Sequence, residues 1–476
     1  MRCSPVTAAI LVCSFASAED NLQKLNVVAL DAAGQPVMGL QSTDFQLFKD
    51  GKPQTLAFSR FTGVKPRQAA SPLPNEYSNR ATGLPATVVL IDLFNDRLLS
   101  AAVINNELTS ALKNFESSEG LYLYILTARG DLLPVQPVPK ADTELTPPAE
   151  PWTRNIAPML QEVVKNVLGF RPIEDRDIAI RFDLTAKALR TLGSQMRLIS
   201  GRKNLVWVTH GVPLYGAGGS DQLNLDLTAP LRLLCEQLKR AQVVVHTVAQ
   251  SMKGVGAAMD TASTQSLQEF AGLTGGRYYR SDAVGEAIQH AMSDSRANYQ
   301  LAYYSASQAV DGKYHKLRVT SPRKDVRLHA EEASYSALPP IPPGDQERNN
   351  LEIAAHSPFD SNGISLRASL SPDPETKGKV DLHIRIDPSD LLLDQRQDRR
   401  TGKIAILFAV YSEKGFEQSS SPMPSEVSLT PEQYEKSVRD GLAFRQSIAL
   451  GAAVRRIRVF VVDRQLGTIG AVTIPR

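Results

Sequence analysis

Four near-continuous apolar runs mark the middle of the chain: ATVVLIDLF (86–94), LYLYILTA (121–128), NLVWVTHG (204–211) and QVVVHTVA (242–249). Each is about one strand long and lacks the polar alternation of a half-exposed strand, the pattern of a parallel sheet covered on both faces. Between the runs, apolar residues recur at helical spacing. Ile104, Leu108, Ala111 and Phe115 form one stripe, Phe182, Ala186, Leu189 and Gly193 a second, and Leu227, Leu231, Leu234 and Leu238 a third. Gly201, just ahead of the third run, suits a helix C-terminus. The alternation predicts a doubly wound, mostly parallel α/β domain over 85–298, with a Pro-rich insertion at 130–155.

Strand patterns flank this unit. LNVVAL reads as a buried strand, and FQLFKDGKPQTLAFSRF as two strands around Asp50-Gly51, flanked by the alternating pairs Phe45/Leu47 and Leu56/Phe58. An Asp-Gly between alternating apolar residues is hairpin chemistry. These N-terminal strands occupy 19–62, and the Pro-, Ser- and Gly-rich stretch 63–84 reads as a linker. After the α/β unit, YQLAYYS, KYHKLRVTS and VRLHAEEASYS give strands over 299–336. A lone hairpin is marginal in water, so both sets are expected to join in one small sheet or sandwich docked on the α/β unit.

The segment ALPPIPPGDQ (337–346) carries four prolines and reads as a second linker. From 347 to 476, GISLRASL, KVDLHIRID, KIAILFAVYS, LAFRQSIAL and VRRIRVFVVD predict a C-terminal β-sandwich. Its basic stretch RRIRVF (455–460) is expected on a solvated strand face.

Composition changes this picture little. The 476 residues are 42% hydrophobic and 22% charged, close to a globular average, which excludes wholesale disorder and collagen-like or disulfide-scaffold classes. Lys+Arg 53 against Asp+Glu 50 leaves +3, too little to argue for nucleic acid.

The first residues are distinctive. Arg2, the apolar stretch Ala8 to Phe15 and Ala16-Ser17-Ala18 read as a signal peptide over 1–18, so a secreted or periplasmic protein beginning at Glu19 is expected. The apolar stretch is far short of the about 20 residues that a spanning helix needs, and Val12 before Cys13 argues against a lipid anchor. No later stretch predicts a membrane helix. Without Cys3 and Cys13 only Cys235 remains, in the apolar stripe LRLLCEQL, where a buried thiol is expected.

Three patterns invite a family comparison: the leading FQLFKDGKPQ hairpin, GRKNLVWVTHGVP, and a closing helix that ends Thr274-Gly275-Gly276-Arg277 before a strand. With the trailing YQLAYYSASQAVDGKYHKLRV they resemble, over residues 25–336, the VWFA-related, acidobacterial-type family of exported proteins. The resemblance implies a von Willebrand factor A-like domain. Such domains hold Mg²⁺ through D-x-S-x-S after the first strand, plus a threonine and an aspartate from later loops. Asp92 matches the first aspartate, but the hydroxyl positions are Phe94 and Asp96, the later aspartate position is His210, and Asp183 falls near the loop threonine.

Two readings follow. Asp92, Asp96 and Asp183 gather Mg²⁺ or Mn²⁺, with Asn95 or His210 assisting, in a degenerate site. Alternatively, Asp92 bonds loop amides and holds no metal.

Other motifs are weaker. Arg129-Gly130-Asp131 spells an integrin-binding tripeptide, and Asp131 is a candidate binding-loop residue with Asn95 and His210. Such a triplet arises by chance in about one chain in ten of this length. GAGG (216–219) lacks the Lys-Ser/Thr of a phosphate loop, and the histidines show no metal-ligand spacing. His246, inside an apolar run, is expected as a satisfied core residue. No G-x-S-x-G elbow occurs and no nucleophile–base pair can be nominated. The expectation is a non-enzymatic protein that recognises a protein or cell surface through loops above the sheet. A cation-dependent adhesion module and a hydrolase with an unfamiliar site are the alternatives.

Overall fold

The computed structural model describes residues 22–63, 75–79, 86–95, 111–115, 120–141, 178–212, 226–249, 257–280, 283–304, 311–336, 343–373, 379–396 and 398–476, with isolated positions between 154 and 162. The expected signal peptide lies outside the described residues. Within them the chain is mixed α/β and strand-rich, with its strands gathered in several sheets. No described helix is long and apolar enough to cross a membrane.

The four apolar runs are neighbours in a six-stranded sheet. Its order is Tyr278–Tyr279, Val243–Ala249, Lys203–Thr209, Thr87–Asp92, Leu121–Leu126, Leu132–Gln136. All neighbours are parallel except the last pair. Every residue of Thr87–Asp92, Leu121–Leu126 and Lys203–Thr209 is buried, which explains their near-continuous apolarity.

Alternate side chains enter two cores. Val88, Leu90, Tyr124, Trp207 and Val245 pack with Phe182, Leu189, Leu231, Leu234 and Phe270 from helices Ile178–Met196, Thr228–Arg240 and Ala257–Thr274. Val89, Ile91, Leu123, Val206 and Val248 pack instead with Ala287, Ile288 and Ala291 of helix Val284–Arg296. The segment expected to be an insertion supplies the antiparallel edge strand Leu132–Gln136. Pro134 is tolerated there because an edge strand can spare one N–H. Cys235 is buried in the first core, and burial pushes its thiol up.

The Thr274-Gly275-Gly276-Arg277 turn shows why those residues follow a helix. The Gly276 N–H bonds Ala271 O and the Gly275 N–H bonds Gly272 O, closing a Schellman-type end with Gly275 at φ +79°. Thr274 Oγ1 donates to Phe270 O at 2.8 Å and accepts from Val245 N at 3.0 Å, tying the helix end to the neighbouring strand. A Cβ on Gly276 would collide with Val245 O.

Strands from both sides of the α/β unit share two further sheets. One has the order Arg327–Ala330, Leu22–Leu30, Asn298–Tyr304, Leu56–Phe61, and the other Ala333–Tyr335, Tyr314–Thr320, Gln46–Lys49, Lys52–Gln54. Leu25, Val27, Phe45, Leu47, Tyr299 and Leu301 fill the core between them. The Asp50-Gly51 turn is real, with φ 50° and 77°, but Leu47 pairs with Gln54 rather than Leu56. Leu56–Phe61 leaves the hairpin to pair with Asn298–Tyr304.

The C-terminal part stacks two sheets over a core that includes Leu366, Leu382, Ile384, Ile404, Val459 and Val472. One sheet includes Tyr77–Ser78, from the stretch expected to be a linker, paired with Leu366–Pro372. A helix, Pro343–His356, starts inside the second expected linker; a proline in the first helical turn forfeits an N–H that has no helical partner anyway. It docks through Arg458, which is 5% exposed, not on the solvated face expected of RRIRVF. Arg458 donates to the Ala354 and Ser357 carbonyls and to Thr473 Oγ1.

His246 is fully buried, yet neither ring nitrogen has a hydrogen-bond partner among the described residues, so it is a core residue without being satisfied. Burial, and then the Arg202 and Arg277 charges, hold its pKa well below 6.5.

Two outcomes follow. Gly276→Ala should lower unfolding free energy by about 2–4 kcal/mol, read from the urea midpoint; an unchanged midpoint would contradict the close approach. A histidine held neutral in the fold but protonated when unfolded keeps its stability above pH 6.5 and loses it as pH falls below. Wild type should therefore weaken relative to His246→Phe between about pH 7 and about pH 5, by up to about 1.4 kcal/mol per unit, and parallel profiles would refute this.

Candidate functional site: a closed carboxylate at the sheet's switch point

From Thr87–Asp92 the chain builds outward to Leu121–Leu126 on one side and, later, to Lys203–Thr209 and Val243–Ala249 on the other. The strand order therefore reverses between Thr87–Asp92 and Lys203–Thr209. In open α/β sheets a crevice lies there, outside the strands' carboxyl ends. Asp92 is the last residue of the first strand and is 1% exposed.

An isolated carboxylate in that position would be very costly. Five donors compensate it. Oδ1 accepts from the N–H groups of Phe94 and Asn95, both at 3.0 Å. Oδ2 accepts from Asn95 Nδ2 at 2.8 Å, Trp207 Nε1 at 3.0 Å and Thr209 Oγ1 at 2.7 Å.

The donors are themselves held. Thr209 Oγ1 accepts from the Gly211 N–H at 2.9 Å, and Gly211 has φ +77°. Asn95 Nδ2 donates also to Thr185 Oγ1 at 2.9 Å, and Asn95 Oδ1 accepts from Arg181 Nη2 at 3.2 Å. Thr185 Oγ1 donates to Arg181 O, 2.8 Å away on the same helix. The hydrogens balance: each hydroxyl donates once, and the Asn95 amide spends both protons.

The sequence candidates divide clearly. Asp92 and Asn95 come together. Asp183 does not join them: it lies on the exposed side of helix Ile178–Met196, while Thr185, two residues on, faces inward to Asn95. Asp96 lies outside the described residues. His210 is half-buried between Thr209 and Gly211, and Asp131 is exposed in the turn after Leu121–Leu126. Phe94 packs its ring against the first core and contributes only its N–H. Trp207, Thr209, Thr185 and Arg181 escaped sequence reasoning. Period two from Leu205 aims Trp207 and Thr209 at one face, and the Phe182, Ala186, Leu189 stripe aims Thr185 inward.

A divalent cation needs open oxygen lone pairs in near-octahedral array. Both Asp92 oxygens are already spent on N–H and O–H donors, and no group of three His, Cys, Asp or Glu converges among the described residues. The described residues therefore do not fit Mg²⁺ or Mn²⁺ unless several bonds to Asp92 break.

No family model matches the chain, and no curated protein matches it. Among solved structures, the open form of the pilus adhesin SpaC from Lactobacillus rhamnosus GG aligns over 89% of this chain and 70% of its own, at 10% identity and TM-score 0.30. The human COPII-coat protein Sec24c aligns over 59% of this chain and 50% of its own, at 11% identity and TM-score 0.26. A mutant of the PilB minor pilin from Streptococcus sanguinis aligns over 49% and 62%, at 12% identity and TM-score 0.28. The chain thus spans half the length of the Sec24c structure and 62% of the PilB structure. Overlaps with such TM-scores carry no argument about function.

Asp92→Asn replaces one accepting oxygen with an NH2 donor that faces other donors, and should cost about 2–4 kcal/mol. The loss should be equal in EDTA, Mg²⁺ and Mn²⁺ when followed by calorimetry. A wild-type melting temperature that rises with either metal, and fails to rise in the variant, would show a cation site instead.

Proposed function

We propose that the chain is an exported, non-enzymatic recognition protein of the VWFA-related kind. Its von Willebrand factor A-like, doubly wound domain binds a protein or cell-surface partner without a divalent cation. The observation that carries this reading is the closed Asp92 network at the switch point. It makes the crevice edge rigid by protein hydrogen bonds alone and leaves the loops around it as the variable surface.

Further support comes from the strand order, which reverses beside Asp92 with an antiparallel strand at one edge. Among the described residues, the polar side chains Asp92, Asn95, Thr185 and Thr209 are committed to one another, with no nucleophile and base left side by side among them. Export rests on the charged start, apolar stretch and Ala16-Ser17-Ala18 of the first residues.

Photocrosslinking residues placed at His210 and at Ala128 border the crevice edge, and one at Glu435, on the exposed side of helix Pro431–Asp440, serves as control. Applied to cell-envelope material in EDTA, the first two should give a defined adduct that the control does not. Adducts equal at all three sites, adducts that require Mg²⁺, or no adduct would overturn the reading.

A further inference from the structure

Strand Arg327–Ala330 is an edge of its sheet, paired on one side with Leu22–Leu30. The chain around it also meets the Gly275-Gly276-Arg277 turn of the α/β unit. His329 Nε2 donates to Gly276 O at 2.9 Å, and a Cβ on Gly275 would come within 3.1 Å of Glu331 N. The Glu332 N–H completes the contact on Gly272 O at 3.0 Å. His246 lies behind the same turn. Gly276 packs on Val245 O and His246 N, and the Thr247 N–H bonds Arg277 O at 3.0 Å. Two histidines, one from each unit, thus flank one turn at the seam between them.

Neither histidine is placed to carry a proton. His246 is fully buried with both ring nitrogens unpartnered, and its ring centroid lies 6.4 Å from that of Tyr279, whose hydroxyl shares a hydrogen bond with His290 Nδ1. Arg202, just before strand Lys203–Thr209, and Arg277 bring positive charge to both rings. The anion nearby is Asp294, on helix Val284–Arg296, and its Oδ1 already accepts from Arg277 Nη2 at 2.8 Å. Glu331 is likewise engaged, 2.6 Å from Lys239 Nζ. Burial and then the Arg277 charge outweigh Asp294 at His329 and hold its imidazole below 6.5. Burial, Arg202 and Arg277 do the same at His246.

We propose that this seam is an acid-sensitive latch: segment 327–335 is held on the α/β unit while His246 and His329 are neutral, and is released when they are protonated. Protonation sets four cationic side chains, the two histidines with Arg202 and Arg277, around one turn, against two carboxylates that are already paired. Release admits water to the turn and solvates those charges. Segment 327–335 is the part that yields, because Arg327–Ala330 is only four residues long and lies at a sheet edge. Helix Val284–Arg296, on the other side of His246, is instead packed by fully buried Ala287, Ile288 and Ala291. The released state takes up protons near pH 6.5 and the latched state does not. The latch therefore keeps its full strength above about pH 6.5 and weakens as pH falls, by up to about tenfold per pH unit for each histidine.

Hydrogen–deuterium exchange of the full chain, read by mass spectrometry at about pH 7.5 and about pH 5.5 and corrected for the intrinsic rates, tests the latch. Protection in segments 272–279 and 327–335 should fall about tenfold or more at the lower pH. Strands Lys203–Thr209 and Arg399–Ser412 should keep theirs. His329→Gln retains a side-chain donor for Gly276 O but cannot be protonated, so it should remove part of the loss. Adding His246→Phe should abolish the rest. The single variant already discriminates, so the test holds even where His246→Phe impairs folding. Three outcomes would each overturn the latch: wild-type protection that does not change, protection lost equally in all strands, or a loss as large in His329→Gln as in wild type.

Discussion

The described residues at the switch point follow from one constraint: Asp92 ends a strand buried on both faces, so its charge must be neutralised by something the fold supplies. The fold supplies five donors from three places. Two come from the backbone of the following loop, one from Asn95, and two from the adjacent parallel strand. The last two need the register in which Leu90 sits beside Trp207. A slip of one residue would turn Trp207 and Thr209 to the other core and leave the carboxylate without them. Strand register, loop conformation and the buried charge thus determine one another. Asn95 extends the coupling through Thr185 and Arg181 to helix Ile178–Met196.

A metal ion and a set of hydrogen-bond donors solve the same electrostatic problem with different consequences. A cation held by a few protein oxygens keeps coordination positions for water or a partner's carboxylate. Five N–H and O–H groups satisfy the charge and leave nothing to coordinate. Phe94 is informative here: its half-buried ring packs against the apolar core, and only its backbone N–H meets Asp92.

Charged residues also hold the units together. Lys239 reaches Glu236 at 2.9 Å and Glu331 at 2.6 Å, linking helix Thr228–Arg240 to the chain before Ala333–Tyr335; those two carboxylates, acting against burial, hold its ammonium above its ordinary pKa. Arg277 pairs with buried Asp294, and Arg202 donates to Asn298 Oδ1, in the strand that joins the flanking sheet. Breaking one partner of such a buried pair typically costs about 3–5 kcal/mol, because it strands the other charge. The α/β unit and its flanking strands are therefore fixed in orientation, which an apolar seam of the same size would define less sharply.

These features were not equally legible. The central strands are legible because burial on both faces removes polar alternation, and of the glycines after Thr274 only Gly276 makes the close approach to Val245, while Gly275 serves the left-handed turn. Edge elements were hidden: Pro134 argues against a strand until its edge position is known, and Leu56–Phe61 alternates equally well in either sheet. The site was half-visible. Asp92 is legible from its place in an apolar run, but Asp183 was named because it falls near the loop-threonine position that the resemblance implies, whereas helical periodicity from Phe182 and Ala186 turns Thr185 inward. That error has a physical lesson. A carboxylate was sought as a cation's ligand, whereas a buried carboxylate with no cation needs donors, and threonine, tryptophan and asparagine are the side chains that supply them. Given Asp92 buried and Phe94 apolar, the search for donors on the facing strand and helix leads to Trp207, Thr209 and Thr185 from the sequence periodicities alone.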